Sequence, residues 1–262
     1  MTSDNREVAR RLARHIVQRA GGYLRNTVHI PNVTCANCFT PVDGYQHCLR
    51  CNQDRRAYGV GLASTVAPVF YGVKGHQSGY LLHTYKSPSA SDEQAKLLSL
   101  VLNFSYAVHL ECLRMRTGTY PSVVATVPST AGRVGKHPLE TVVDNANLGL
   151  PITKLLVSPN QGGDRREVRR DRFALLNPLD VRGKHVLLVD DTWTSGGRIQ
   201  SAALTLRGAG AADVTAWLLG RWLVPDYGKN REFIGAHLTR DFDPWSCPVA
   251  GAYCQARTLW TP

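Results

Sequence analysis

Two groups of residues in this chain carry recognisable chemistry. The first is the run His185-Val-Leu-Leu-Val-Asp-Asp-Thr-Trp-Thr-Ser-Gly-Gly-Arg198. Val186 to Val189 form the continuous apolar stretch of a strand buried on both faces, and Asp190 and Asp191 follow at its carboxyl end, where open α/β sheets bind ligands. Thr192, Thr194, Ser195, Gly196 and Gly197 then lead into a helical pattern with apolar positions Ile199, Ala202, Ala203 and Leu206, so a helix amino terminus and flexible backbone converge on one spot. That spot suits an anion. Adjacent carboxylates on a strand point to opposite sides, so both can grip the vicinal hydroxyls of one ribose only if the chain leaves strand geometry near Thr192. Together these residue types predict a site for a phosphorylated sugar. The second group is Cys35-Ala-Asn-Cys38 and Cys48-Leu-Arg-Cys51, separated by nine residues. Two such knuckles can converge as four thiolates around a tetrahedral Zn²⁺ with no open position, a structural site. Disulfides and a redox pair are the competing readings, which a cytoplasmic location and the duplicated knuckle disfavour. Cys112, Cys247 and Cys254 show no comparable spacing, and Cys112 reads as a core residue of an apolar helix.

The elements that must position these groups alternate between strand and helix signals, which implies a parallel sheet. Asp4 and Glu7 cap a first helix with apolar Val8, Leu12, Ile16 and Val17 and arginines opposite, ending at Gly21-Gly22. It reads either as a packing helix or as a surface for an acidic partner. Val66–Val73 and Tyr80–Tyr85 look like strands joined through Gly75. Ser91 with Gln94 forms a capping box for a long helix to about Arg116, apolar nearly all round from Leu97 to Leu110. Ser122–Val127 reads as a strand ending in Pro128-Ser129-Thr130-Ala131-Gly132-Arg133, either a second anion loop or a plain polar turn. The loop over residues 158–172 carries Gln161-Gly162-Gly163 and five arginines, Arg165, Arg166, Arg169, Arg170 and Arg172.

Composition sets the bounds. The 262 residues are 43% hydrophobic, enough for one substantial core plus an appendage. No apolar run approaches the roughly 18 residues of a membrane span, and Asp4 and Glu7 among the first arginines do not fit a signal peptide, so a cytoplasmic location is expected. A formal net charge of +11 favours anionic partners, phosphorylated small molecules and nucleic acid alike.

The run from Val186 to Arg198 resembles the phosphoribosyl pyrophosphate (PRPP) signature of type I phosphoribosyltransferases. With the four-cysteine knuckle, Val181-Arg-Gly-Lys-His-Val186 and Leu206-Arg-Gly-Ala-Gly-Ala211, the chain resembles ComF-type phosphoribosyltransferase-domain proteins over residues 35–221. The resemblance implies a type I phosphoribosyltransferase-like parallel sheet flanked by helices with a small N-terminal zinc ribbon. It divides the chain into an N-terminal helix (1–30), the ribbon (31–58), the α/β domain (59–225) and a C-terminal extension (226–262). It also implies that Asp190 and Asp191 are the catalytic carboxylates that hold the ribose hydroxyls. Thr192, Thr194, Ser195, Gly196 and Gly197 would wrap the 5′-phosphate, Ser129, Thr130 and Arg133 would contact pyrophosphate with Lys136 and His137 nearby, and 158–172 would be a mobile loop closing over PRPP. Mg²⁺ would accompany PRPP, and the reaction would transfer phosphoribose to a nitrogen acceptor the sequence does not name. The alternative implied by the resemblance is a module of DNA uptake binding single-stranded DNA. Oligomerisation stays open. Two departures mark the chain: Arg198 stands where the family has Thr or Ser, as a charged contact or a solvated helix residue, and His137-Pro-Leu-Glu140 replaces Phe-Asn-Gln. The tail from Trp222 lies beyond the match, as acceptor site or packing cover.

Overall fold

The computed structural model describes residues 3–87, 91–129, 135–158, 164, 166–251, 254 and 260. Its frame is a six-stranded sheet in the order β1-β6-β5-β2-β3-β4. The strands are β1 (Thr65–Val73), β2 (Val123–Thr126), β3 (Ile152–Val157), β4 (Phe173–Leu175), β5 (His185–Trp193) and β6 (Asp213–Leu223). All neighbours pair in parallel except β4, which runs antiparallel to β3 at the edge. The helices are α1 (Ser3–Ile16), α2 (Leu49–Tyr58), α3 (Gln77–Thr84), α4 (Asp92–Thr117), α5 (Pro138–Ala146), α6 (Gly197–Gly208) and α7 (Asn230–His237).

The period-two alternation of β5 divides the core. Leu187 and Val189 join one apolar cluster with α1, α4 and α5, while Val186 and Leu188 join another with Ile199, Ala202, Ala203 and Leu206 of α6. Both faces of the strand are therefore covered, which is why it reads as an unbroken apolar run. Helix α4 runs close to its expected limits and ends on Gly118, whose φ of 80° is the left-handed conformation of a helix stop. The fold class expected from the alternation is the one found, with the four-cysteine segment ahead of the sheet.

Four local expectations need correction. Residues 80–85 are not a strand: Gln77–Thr84 is helix α3, burying Ser78, Gly79, Leu81 and Leu82 at helical spacing. Gly79 lets that helix sit directly on the end of β1, since a Cβ there would lie 2.2 Å from the Val73 carbonyl oxygen. The short apolar run fits both periodicities, and the close approach to β1 decides for helix. Ser91 does precede α4, but its side chain makes no capping bond, and Gln94 Nε2 donates to Thr84 Oγ1 at 3.0 Å instead. Helix α1 buries Ala9, Ala13 and Ile16, with Ala20 beyond it, and leaves Val8 and Val17 exposed, so its packed face is turned from the one the large side chains suggest. Finally, β5 keeps strand geometry through Trp193, past both carboxylates.

Candidate functional site

The chain order of the strands creates a crevice before any side chain is considered. From β2 the chain moves to β3 on one side, and from β5 it moves to β6 on the other, so the carboxyl ends of β2 and β5 border a topological switch point. Pro128 follows β2 and the Thr194–Gly197 turn follows β5. Arg198 Nη2 donates to the Pro128 carbonyl at 2.6 Å and ties the two loops together.

A cavity of about 760 Å³ opens at the end of β5, lined by Asp190, Asp191, Thr192, Thr194, Ser195, Gly196, Gly197 and Arg198. Its size is that of a small-ligand site. Eight of the expected residues thus share one cavity. Ser129 is half-buried just beyond β2 and is absent from this lining, and Thr130 and Arg133 lie outside the described residues. Lys136 pairs with Asp144, and His137 Nδ1 accepts the Leu139 N–H at 3.2 Å to start α5, so both serve that helix.

Because β5 remains a strand, its two carboxylates diverge. Asp190 lies on the α6 side with Arg198, and Asp191 on the α4 side, where Lys86 Nζ stands 2.5 Å and Tyr85 Oη 2.6 Å from its Oδ2. Each carboxylate is only 6% exposed. Burial and the neighbouring Asp191 charge push the Asp190 carboxyl up to about 7, against the pull of Arg198 and Lys86. Burial acts on Asp191 in the same direction, yet the Lys86 ammonium with hydrogen bonds from Lys86, Tyr85 and Thr192 holds it below the usual carboxylate value. The pair is one ionised acceptor beside one poised near neutrality. Sequence reasoning missed Lys86 and Trp222 of the lining and the buried Tyr85 that donates to Asp191; the misread of α3 as a strand hid Tyr85 and Lys86.

The glycines of the turn are required by neighbours within the fold. Gly196 has φ 87°, and a Cβ there would meet the Trp193 ring at 2.3 Å. A Cβ on Gly197 would lie 2.3 Å from the Arg166 carbonyl oxygen. The basic loop is therefore packed onto the turn. Of its arginines, Arg166 lines the cavity, Arg169 pairs with Asp171, Arg170 stacks over Tyr58 and Arg172 is buried, donating to the Asp164 and Glu167 carbonyls. The loop joins β3 to β4, while Gln161, Gly162, Gly163 and Arg165 lie outside the described residues.

Helix α2 holds the loop from the other side. Arg50 Nη2 donates to the Arg166 carbonyl at 2.8 Å and Tyr58 Oη to the Val168 carbonyl at 2.8 Å. That helix starts at Cys48, whose sulfur accepts the Cys51 N–H at 3.4 Å. The ligand atoms of Cys35, Cys38, Cys48 and Cys51 all lie within 4.8 Å of one another, an arrangement that could hold a metal ion. Hydrogen bonding with Cys38 holds the Cys35 thiol far below its ordinary value, and contacts with Cys35 push Cys51 up, as expected of sulfurs that share one charge centre.

No family model matches the chain, and no curated protein matches it either. Among solved structures it is similar to adenine phosphoribosyltransferase from Saccharomyces cerevisiae, at 14% identity over 84% of this chain and 94% of that one, with a TM-score of 0.39. A purine phosphoribosyltransferase from Pyrococcus horikoshii shares 16% identity over 53% of this chain and 91% of its own, with a TM-score of 0.31. The allosteric regulatory enzyme of purine biosynthesis shares 21% identity over 47% of this chain, which spans only 26% of that enzyme, with a TM-score of 0.31.

Proposed function

We propose that the protein binds PRPP at the end of β5 and transfers its phosphoribosyl group to a nitrogen acceptor, releasing pyrophosphate. The observation that carries this reading is the meeting of two buried carboxylates with the glycine-bounded first turn of α6 in one cavity. The 5′-phosphate sits at Thr194–Gly197, where the helix dipole and the hydroxyls of Thr194 and Ser195 meet it. Although β5 stays extended and turns the two carboxylates apart, both line this cavity. The ribose therefore spans the end of the strand, with one hydroxyl donating to Asp191 and the other to Asp190, rather than being gripped from one side. As pyrophosphate leaves, the charge held on Asp191, joined by Asp190 as it ionises, stabilises the positive charge that develops on the ring, and the nitrogen nucleophile attacks the anomeric carbon with inversion. No protein nucleophile is needed. The pyrophosphate contacts proposed for Ser129, Thr130 and Arg133 fall in the stretch that follows Pro128, whose carbonyl Arg198 ties to the β5 side.

Mg²⁺ would be held here by oxygen donors, the carboxylates of Asp190 and Asp191 with the hydroxyls of Thr192 and Thr194, beside the cations Lys86 and Arg198 that line the same cavity. When bound, it neutralises the diphosphate. Zn²⁺ in the four-cysteine cluster is structural, since four thiolates leave no open position, and it fixes α2 against the basic loop.

Calorimetry with PRPP and Mg²⁺ tests the reading. Binding is expected in the wild type and absent from the Asp190→Asn/Asp191→Asn double variant; equal binding by both refutes it. Pyrophosphate release screened over amine and nucleobase acceptors then identifies the second substrate. A second reading, single-stranded DNA as partner, is favoured by the exposed arginines Arg11 and Arg14 on α1 and the net charge of +11. It requires an oligonucleotide complex that weakens steeply with salt, and no shift at low salt removes it.

A further inference from the structure

The cysteines that seemed unrelated in sequence meet in space. His109 and Cys112 lie one turn apart on α4, and Cys247 and Cys254 lie in the segment after α7. The ligand atoms of these four residues all lie within 4.8 Å of one another. We propose that His109, Cys112, Cys247 and Cys254 form a second, closed Zn²⁺ site that staples the C-terminal segment to helix α4.

Buried cysteines are common as small apolar residues, so the geometry has to decide. Around one tetrahedral zinc, sulfurs stand about 3.8 Å apart and sulfur and nitrogen about 3.5 Å apart, given the usual bond lengths. Cys112 Sγ and Cys254 Sγ are 3.4 Å apart, and Cys254 Sγ is 3.5 Å from His109 Nδ1. Such spacing fits a single ion and is too tight for a polynuclear cluster. The Ala250 N–H donates to Cys247 Sγ at 3.2 Å, three residues on, as the Cys51 N–H does to Cys48 Sγ in the first cluster. An amide aimed at sulfur stabilises thiolate. His109 is fully buried, and its Nε2 has no hydrogen-bond partner among the described residues, so the ring is held by Nδ1, the atom that faces the sulfurs.

The surrounding chain is shaped to hold the two segments together. Gly251 has φ 54°, and a Cβ there would lie 2.8 Å from the His29 ring. Only glycine lets the turn between Cys247 and Cys254 close over His29. Phe242 and Trp245 anchor the approach, with ring centroids 6.5 Å from Phe70 and 5.1 Å from Phe104. On binding, the three thiols release their protons to solvent and the ion sheds its waters, leaving one net negative charge and no change of oxidation state. Three thiolates and an imidazole are a donor set for zinc.

Metal analysis of the full chain, purified without chelator, tests this. Two zinc ions per chain are expected, falling to one in Cys247→Ser/Cys254→Ser and to one in Cys35→Ser/Cys38→Ser. A single ion in the wild type, or two retained in Cys247→Ser/Cys254→Ser, overturns the proposal. So does a Cys112–Cys254 disulfide found by peptide mass in thiol-blocked protein. Co²⁺ titration of the wild-type chain gives a readout that needs no variant. Thiolate-to-metal absorption should saturate at two equivalents with the intensity of seven sulfurs, and saturation at one equivalent with four sulfurs overturns the assignment.

Discussion

Replacing Asp190 with Asn should make the protein more stable while removing its ligand, and the gain should depend on pH in a defined way. In the fold, the Asp190 carboxyl is held up to about 7, from an ordinary value of 3.8, by burial and by the Asp191 charge. Below pH 4 the group is protonated whether the chain is folded or not, and it contributes nothing to the pH dependence. Between 3.8 and about 7 the unfolded chain has released the proton that the folded chain keeps, so the ionised form favours unfolding and the wild type loses about 1.4 kcal/mol per pH unit. Above 7 the loss levels off at about 4 kcal/mol. Asparagine mimics the neutral carboxyl, and its carbonyl can keep the bond from the Asp191 N–H that Asp190 Oδ1 accepts at 3.0 Å. Urea unfolding of both proteins from pH 4 to 8 should show Asp190→Asn gaining on the wild type through that interval. Asp191→Asn should behave in the opposite sense: its carboxylate is held low by Lys86, so it stabilises the fold at neutral pH and that contribution fades as pH falls through its folded value. If Asp190→Asn is less stable than the wild type at pH 8, or the difference is flat with pH, the account of this pair is wrong.

Lys86→Met should destabilise the chain by about 2 kcal/mol at pH 7, less than the cost of a fully dry broken pair because Lys86 keeps 32% of its side chain exposed; PRPP calorimetry on the same variant should show weaker binding. Gly197→Ala places a methyl against the Arg166 backbone and should cost about 1–3 kcal/mol in denaturant unfolding, and an unchanged midpoint would mean the basic loop does not rest on the turn. Cys48→Ser, or chelation of the first cluster, should release the Arg50 and Tyr58 contacts to the loop at 166–168. Faster tryptic cleavage at Arg169 and Arg170 with secondary structure retained is the expected sign, and an unaltered cleavage rate would separate the cluster from the loop.

What the chain discloses in one dimension follows from how local the cause is. The strand β5 and helix α6 are legible because each carries its own pattern: four apolar residues covered on both faces, then a glycine turn, then Ile199, Ala202, Ala203 and Leu206 at helical spacing, all buried. The four-cysteine cluster is legible for the same reason, with its ligands in two nearby knuckles. Helix α3 was misjudged because Tyr80–Tyr85 is short enough for either period, and the deciding contact, Gly79 against the Val73 carbonyl, belongs to a different element.

The site's electrostatics lie further from the local pattern. Lys86 reaches Asp191 only because β1, at the sheet's edge, hands the chain to α3 and back over the end of β5, with β6 between the two strands. Nothing in the spacing of residues 86 and 191 announces that contact. Yet the contact decides which carboxylate keeps the charge: Arg198 and the Asp191 N–H favour a charge on Asp190, and Lys86 with Tyr85 outweighs them on the side of Asp191. The same holds for His109 and Cys112, which look like core residues of α4 until the chain returns with Cys247 and Cys254. In both places a pair of neighbours on one element supplies half of a centre, and the topology supplies the other half. The pattern read from β5 alone therefore marks the carboxylate pair, while the feature that holds Asp191 low comes from Tyr85 and Lys86, which follow β1 at the edge of the sheet.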